Sequence, residues 1–182
     1  MIRKKLSFCL LSMALIFFAL SHASDGTRDE LFLKMDIRPV KGNAKAQDFR
    51  LEDLKGEKWQ LRNLKGKVIF LSFWATWCGP CKEEMPSSET LYQQFKEKNF
   101  VFLTISVDFE GKKPVKEFIE KKRYTFPVLL DPKCETLDLY QVQRIPTTIL
   151  IDKRGVMIGK VAGPRNWMSR EAISLLNQLI QE

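Results

Sequence analysis

Phe73-Trp74-Ala75-Thr76-Trp77-Cys78-Gly79-Pro80-Cys81-Lys82 completes an apolar run that starts at Val68, and it opens a segment in which Met85, Leu91, Tyr92 and Phe95 recur at helical spacing. Val68 to Trp74 has strand length and no polar alternation, the pattern of a strand buried on both faces. The two cysteines therefore fall where a buried strand ends and a helix begins. A thiol there meets unpaired backbone N–H groups and the positive end of the helix dipole. Both favour thiolate over thiol and make the sulfur a nucleophile. Two other roles compete. Zinc wants four ligands, usually two such pairs, whereas this chain offers one pair, so no metal site is expected. A structural disulfide suits exported chains, but so small a loop constrains the unfolded chain little. The placement favours redox chemistry.

The same reading extends in both directions. Phe49-Leu51 and Trp59-Leu61 flank Lys55-Gly56-Glu57 as a hairpin. The helix expected from Cys81 to Lys98 contains Pro86, which should interrupt and kink it. Phe100 to Val107 is a second buried strand. Val115, Phe118 and Ile119 mark a helix on a basic surface. Pro127 to Leu130 reads as a short strand and Cys134 to Val142 as a short helix. Thr147 to Ile151 and Val156 to Val161 are strands joined at Asp152-Lys153-Arg154-Gly155. Ser169 can cap a last helix with Glu171 in its first turn, and Ile173, Leu176 and Ile180 are its expected buried stripe. Buried strands alternating with helices predict an α/β sandwich, and the final strand pair makes its sheet mixed.

The N-terminus carries a different signal. Arg3-Lys4-Lys5, an uncharged run from Leu6 to Leu20, and Ser21-His22-Ala23 read as a secretory signal at residues 1–23, either cleaved or kept as an N-terminal anchor. Cys9 lies within the apolar run as filler. Residues 24–45 form a polar lead-in with a short amphipathic turn around Leu31-Phe32-Met35, and 46–182 form the domain. His22 is the only histidine, so cleavage leaves no Ser-His or Cys-His pair for catalysis. Three of the eight excess positive charges sit on Arg3, Lys4 and Lys5. No Lys/Arg block is interleaved with aromatics, which argues against a nucleic-acid partner. Contact with a membrane is expected only through the N-terminal anchor.

The decamer around Cys78 and Cys81 resembles the active site of the thioredoxin superfamily. Glu83-Glu84-Met85-Pro86 and the leading hairpin are similar to its exported TlpA/ResA-like branch. Arg144-Ile145-Pro146-Thr147-Thr148 resembles the family's cis-proline loop, with Ile149-Leu150-Ile151-Asp152 as the next strand. The resemblance covers about residues 45–182. It implies a thioredoxin-like α/β fold, a mixed sheet with helices on both faces and an N-terminal β-hairpin extension. It implies that Cys78 attacks a client disulfide and that Cys81 resolves the mixed disulfide. Trp77, Gly79, Pro80, Ile145 and Pro146 would form the client-binding surface, with the backbone of Ile145 offered to an extended chain beside a cis Pro146. Trp74 would flank the site or sit in the core.

One departure is informative. Cytoplasmic thioredoxins carry a buried Asp where this chain has Ser72, which cannot act as a base near neutral pH. Glu84 lies three residues after Cys81 on one helix face, and the TlpA/ResA-like branch has a Glu there. Glu84 is thus the candidate for moving the Cys81 proton, with a pKa raised by burial. Glu83 is expected at the surface, and Cys134 is expected to be an unpaired, partly buried thiol.

The resemblance implies an exported thiol–disulfide oxidoreductase, reducing clients such as apocytochrome c or copper-site assembly partners and recharged by a membrane thiol–disulfide donor. No cofactor is expected beyond the Cys78–Cys81 disulfide. Gly79-Pro80 resembles the dipeptide of thioredoxin, whose potential is about −270 mV against about −120 mV for the oxidant DsbA, so the expected direction is reduction. Two alternatives stand beside it. A peroxiredoxin-type thiol peroxidase would carry Pro where this chain has Leu71, although Thr76 lies nearby. A Cu(I) chaperone would use Cys78 and Cys81 as soft ligands.

Overall fold

The computed structural model describes residues 27–182, so the expected export signal at 1–23 lies outside the described residues. The buried run Val68–Trp74 is strand β4, and all seven of its residues are buried. It pairs in parallel with β5 (Phe100–Ser106) and antiparallel with β7 (Thr147–Ile151), which makes it a central strand. Being covered on both faces is what removes polar alternation from its sequence. The other strands are β1 (Arg38–Pro39), β2 (Arg50–Asp53), β3 (Lys58–Gln60), β6 (Val128–Leu130) and β8 (Met157–Ala162). They complete one mixed sheet in the order β1-β8-β7-β4-β5-β6-β2-β3.

Helix α1 occupies 27–34 within the described part. It is followed by α2 (Gly79–Phe95), α3 (Lys112–Lys122), α4 (Glu135–Leu139) and α5 (Arg170–Gln181). Ring contacts fix the layers. Phe102 lies opposite Phe70 in the sheet and meets Tyr92 of α2 at 5.9 Å, while Trp74 meets Phe118 of α3 at 5.6 Å. Side chains alternate along a strand, so Phe70 and Trp74 share a face. Phe73 points to the other face and meets Tyr140, the residue that ends α4, at 5.8 Å. The α/β sandwich with helices on both faces is therefore present.

Several local expectations change. Helix α2 starts at Gly79, two residues early, and runs through Pro86 without interruption. Pro86 is exposed, so the Lys82 carbonyl it leaves unpaired lies in a solvent-facing turn. The buried stripe of α5 is Ala172, Leu175, Leu176 and Leu179, whereas Ile173 and Ile180 only flank the core. Leu176 belongs to both stripes. The reason is that Ala172, Ile173, Leu175, Leu176, Leu179 and Ile180 offer two overlapping apolar faces, and tertiary contact selects between them. Ser169 does cap α5, its hydroxyl accepting the Ala172 N–H at 3.2 Å.

The lead-in is integrated with the sheet. Phe32, Met35 and Ile37 are core residues, and β1 pairs with β8 through Arg38↔Lys160 and Pro39↔Gly159. Gly159 makes room for this: a Cβ there would lie 2.7 Å from Ile37 Cγ2 and 3.0 Å from the Phe32 ring. At the opposite sheet edge, the Asp53 carboxylate accepts the N–H groups of Lys55 and Glu57 and, at 3.2 Å, the Trp59 indole N–H. That closes the β2–β3 hairpin over Gly56, whose φ of 87° suits glycine.

Candidate active site

The site lies at the carboxyl end of β4, the usual place for chemistry on an open α/β sheet. Cys78 and Cys81 form a disulfide with an S–S distance of 2.06 Å. Cys78 is the N-cap of α2, with extended backbone (φ −81°, ψ 108°), and its Sγ accepts the Cys81 N–H at 3.2 Å. Gly79 and Pro80 occupy the first two helical positions, where a missing proline N–H does no harm. Both are exposed, and so is Trp77 at 62% of its surface. Cys78 is 5% exposed and Cys81, one turn inside, 1%. Trp74 is a core residue, which settles its two readings in favour of the core.

The turn before Cys78 is pinned by a residue that sequence reading passed over. Asp108 follows β5 and is buried. Its carboxylate accepts the Thr76 N–H at 3.0 Å, the Thr76 hydroxyl and, at 2.7 Å, the Ser106 hydroxyl. The register Trp74↔Ser106 brings these two strand ends side by side. An acidic residue closing a buried parallel strand was the available signal.

Glu84 lies one turn beyond Cys81 and is 5% exposed. Its Oε2 accepts the Arg165 N–H at 2.9 Å. Burial raises its pKa to about 7, against the opposing pull of the Arg165 amide, the nearby Trp167 indole and the Arg165 charge. The Trp167 Nε1 stops short of hydrogen-bond geometry, so its help is a weak dipole contact. A cleft of about 360 Å³ between α2 and the Pro164–Arg165 loop runs past Glu84 to solvent. Glu83 is exposed, and Ser72 is buried between Thr104 and Thr148 of the neighbouring strands. Burial thus leaves a carboxyl that titrates near neutral pH on the same helix as the buried Cys81 sulfur, one turn further along.

The Ile145–Pro146 peptide is cis. The register Phe73↔Thr147 sets this loop against the end of β4 from which the Cys78 turn departs. Neither the N–H nor the C=O of Ile145 bonds to another group among the described residues. Cys134 is free and half-buried. Burial, then the Asp131 and Asp138 carboxylates, push its pKa up, so it is not a poised thiolate. No cluster of three or more His, Cys, Asp or Glu suited to a metal ion occurs among the described residues.

Comparison with known proteins agrees with this geometry. A profile described as "AhpC/TSA family" matches residues 43–159. A "Thiol-disulfide oxidoreductase ResA" of Bacillus cereus is 41% identical over 118 residues, 65% of this chain and 68% of its own. The protein of that name from Bacillus thuringiensis is 36% identical over 154 residues, 85% of this chain and 88% of its own. The crystal structure of an exposed lipoprotein thioredoxin of Streptococcus pneumoniae superposes with a TM-score of 0.61 at 30% identity, over 73% of this chain and all of the other. The chain thus belongs to the AhpC/TSA family of thioredoxin-like proteins, on its branch of ResA-type thiol-disulfide oxidoreductases.

Proposed function

We propose that the protein is an exported reductase of protein disulfides, with Cys78 as nucleophile, Cys81 as resolving thiol and Glu84 as proton carrier. The observation that carries this reading is the Cys78 sulfur at the N-cap of α2, accepting the Cys81 N–H. The same donor and the helix dipole favour a thiolate on Cys78 once the disulfide is opened. That thiolate attacks one sulfur of a client disulfide, and the other client sulfur leaves as a thiolate and takes a proton. Glu84 then removes the Cys81 proton, and the Cys81 thiolate attacks Cys78 Sγ. The second client thiol is released, and the Cys78–Cys81 disulfide forms. Two electrons pass to the client, and no cofactor enters.

Trp77, Gly79 and Pro80 form the exposed rim that a client meets, and Ile145 pairs with its main chain beside Pro146. Each turnover leaves the protein oxidised, so an outside dithiol must recharge it, in the envelope a membrane thiol–disulfide donor. The segment 1–23 supports export to the periplasm or another extracytoplasmic space, with or without a retained anchor. Apocytochrome c and copper-site assembly partners are clients of suitable chemistry.

The test is capture of clients in the cell. Cys81→Ser should accumulate disulfide-linked adducts through Cys78 that dissolve on reduction, and Cys78→Ser should accumulate none. Acid-quenched cells with an intact donor should hold the wild-type pair mainly reduced. A mainly oxidised pair, or adducts independent of Cys78, would overturn the reading.

A further inference from the structure

Beside the cis-proline loop lies a groove of about 340 Å³ that the dithiol chemistry does not use. Three cations line it: Arg38 of β1, Arg144 of the loop and Lys160 of β8. The carboxylate on its wall, Asp36, is already held by Arg165 at 2.9 Å. The guanidinium groups of Arg38 and Arg144 are exposed and have no ion pair or hydrogen bond among the described residues. Lys160 is half-buried, and its Nζ donates only to the carbonyls of Tyr140 and Gln141, at 3.0 and 2.7 Å. Burial pushes its pKa down, as expected of an ammonium with dipoles around it and no counter-charge. Three cations thus converge on a hollow in which no free anion answers them.

The position of the groove gives that charge a purpose. Thr147 pairs with Ala162, Ile149 pairs with Lys160, and Lys160 pairs with Arg38. The groove therefore starts where Ile145 presents its free main chain and extends across two strand spacings, about 10 Å. An extended chain covers that in about three residues. We propose that the groove is an anion subsite that receives the side-chain carboxylate of a client Asp or Glu about three residues from the client cysteine bound to Cys78. This deepens the reductase reading and rests on it. It makes client choice partly electrostatic, added to main-chain pairing that tolerates any sequence.

The test uses synthetic disulfide peptides carrying Glu or Gln at each position two to four residues on either side of the cysteine. The reduced protein is mixed with each, and the second-order rate constant for peptide reduction is measured. At low salt, Glu should be preferred over Gln about fivefold at a position on one side of the cysteine, the size expected of partly exposed ion pairs. The Glu/Gln ratio should shrink in 0.5 M salt. It should fall close to one in Arg38→Gln/Arg144→Gln, whose two positions are exposed and leave the core intact. A ratio near one at every position in the wild type would overturn the subsite while leaving the reductase reading in place. So would a preference that survives the double substitution. Failure to reduce any peptide, Gln forms included, would overturn the reductase reading and the subsite with it.

Discussion

Glu84→Gln should stabilise the oxidised protein at neutral pH while slowing its chemistry. In the unfolded chain the carboxyl titrates at its ordinary value of 4.5, and in the folded protein at about 7. Between those values the folded state holds a proton that the unfolded state has released. Unfolding then releases a proton, so stability falls as pH rises through this window. The contribution is intact below pH 4.5 and lost above about pH 7. A displacement of about 2.5 units at 1.36 kcal/mol each corresponds to about 3 kcal/mol. Glutamine keeps an oxygen for the Arg165 N–H, now at 2.9 Å, and has no charge to desolvate. Urea denaturation of both oxidised proteins from pH 4 to 8.5 gives a difference in which all other titrations cancel. That difference should grow by about 3 kcal/mol in favour of the variant between pH 4.5 and 7, then level off. In the same variant, the pH dependence of Cys81 alkylation in the reduced protein should shift, and disulfide exchange should slow. A flat stability difference would refute the burial argument, and an unchanged alkylation profile would refute the proton-carrying role. Together the two expectations describe a site in which a destabilising buried acid is kept for the proton it can move.

Three further perturbations test how the site is held. Asp108→Ala should destabilise by about 2–4 kcal/mol, because it strands the Thr76 N–H and two hydroxyls. It should also slow exchange by loosening the turn before Cys78, and Asp108→Asn should recover part of both in denaturation and single-turnover assays. Gly159→Ala should cost about 1–3 kcal/mol, because its methyl group would overlap Ile37 and Phe32. Hydrogen exchange should locate the loss in residues 27–39 and leave α2 protected. Asp53→Ala should open the β2–β3 hairpin at a cost of about 1–3 kcal/mol. Burial raises the Asp53 pKa, but the hydrogen bonds from Glu57, Lys55 and Trp59 overcome it and leave the pKa lowered. The charge-dependent part of the wild-type advantage should therefore be full above the unfolded value near 3.8 and be lost as pH falls from there through the lower folded value.

What was legible in the sequence was whatever a short window contains. Val68–Trp74 announced a strand buried on both faces because such burial leaves no polar alternation in the sequence. The switch from strand to helix around Cys78 and Cys81 was legible because an apolar run meets a helical spacing there, but the start at Gly79 lay two residues before the expected one, since the Cys78 cap is a matter of backbone geometry. Glu84 was legible by its spacing from Cys81, since i and i+3 share a face whatever lies opposite. Its environment was not. Arg165 comes from a loop 81 residues away, and nothing in Gly163-Pro164-Arg165 states that its N–H will meet a carboxyl on α2. The same holds for Asp108, which meets Thr76 across 32 residues. The stripe of α5 was misread because two faces were equally apolar and only contact with the sheet decides between them. The reacting groups are thus carried by the local motif, while the groups that set their protonation and aim arrive from distant loops. Arg38 and Arg144 extend that pattern: they are 106 positions apart, and pairing of β1 with β8 and of β8 with β7 brings them to one groove. A chain that keeps the Cys78–Cys81 motif but changes these loop and edge residues should keep the chemistry and change its pH response and its clients.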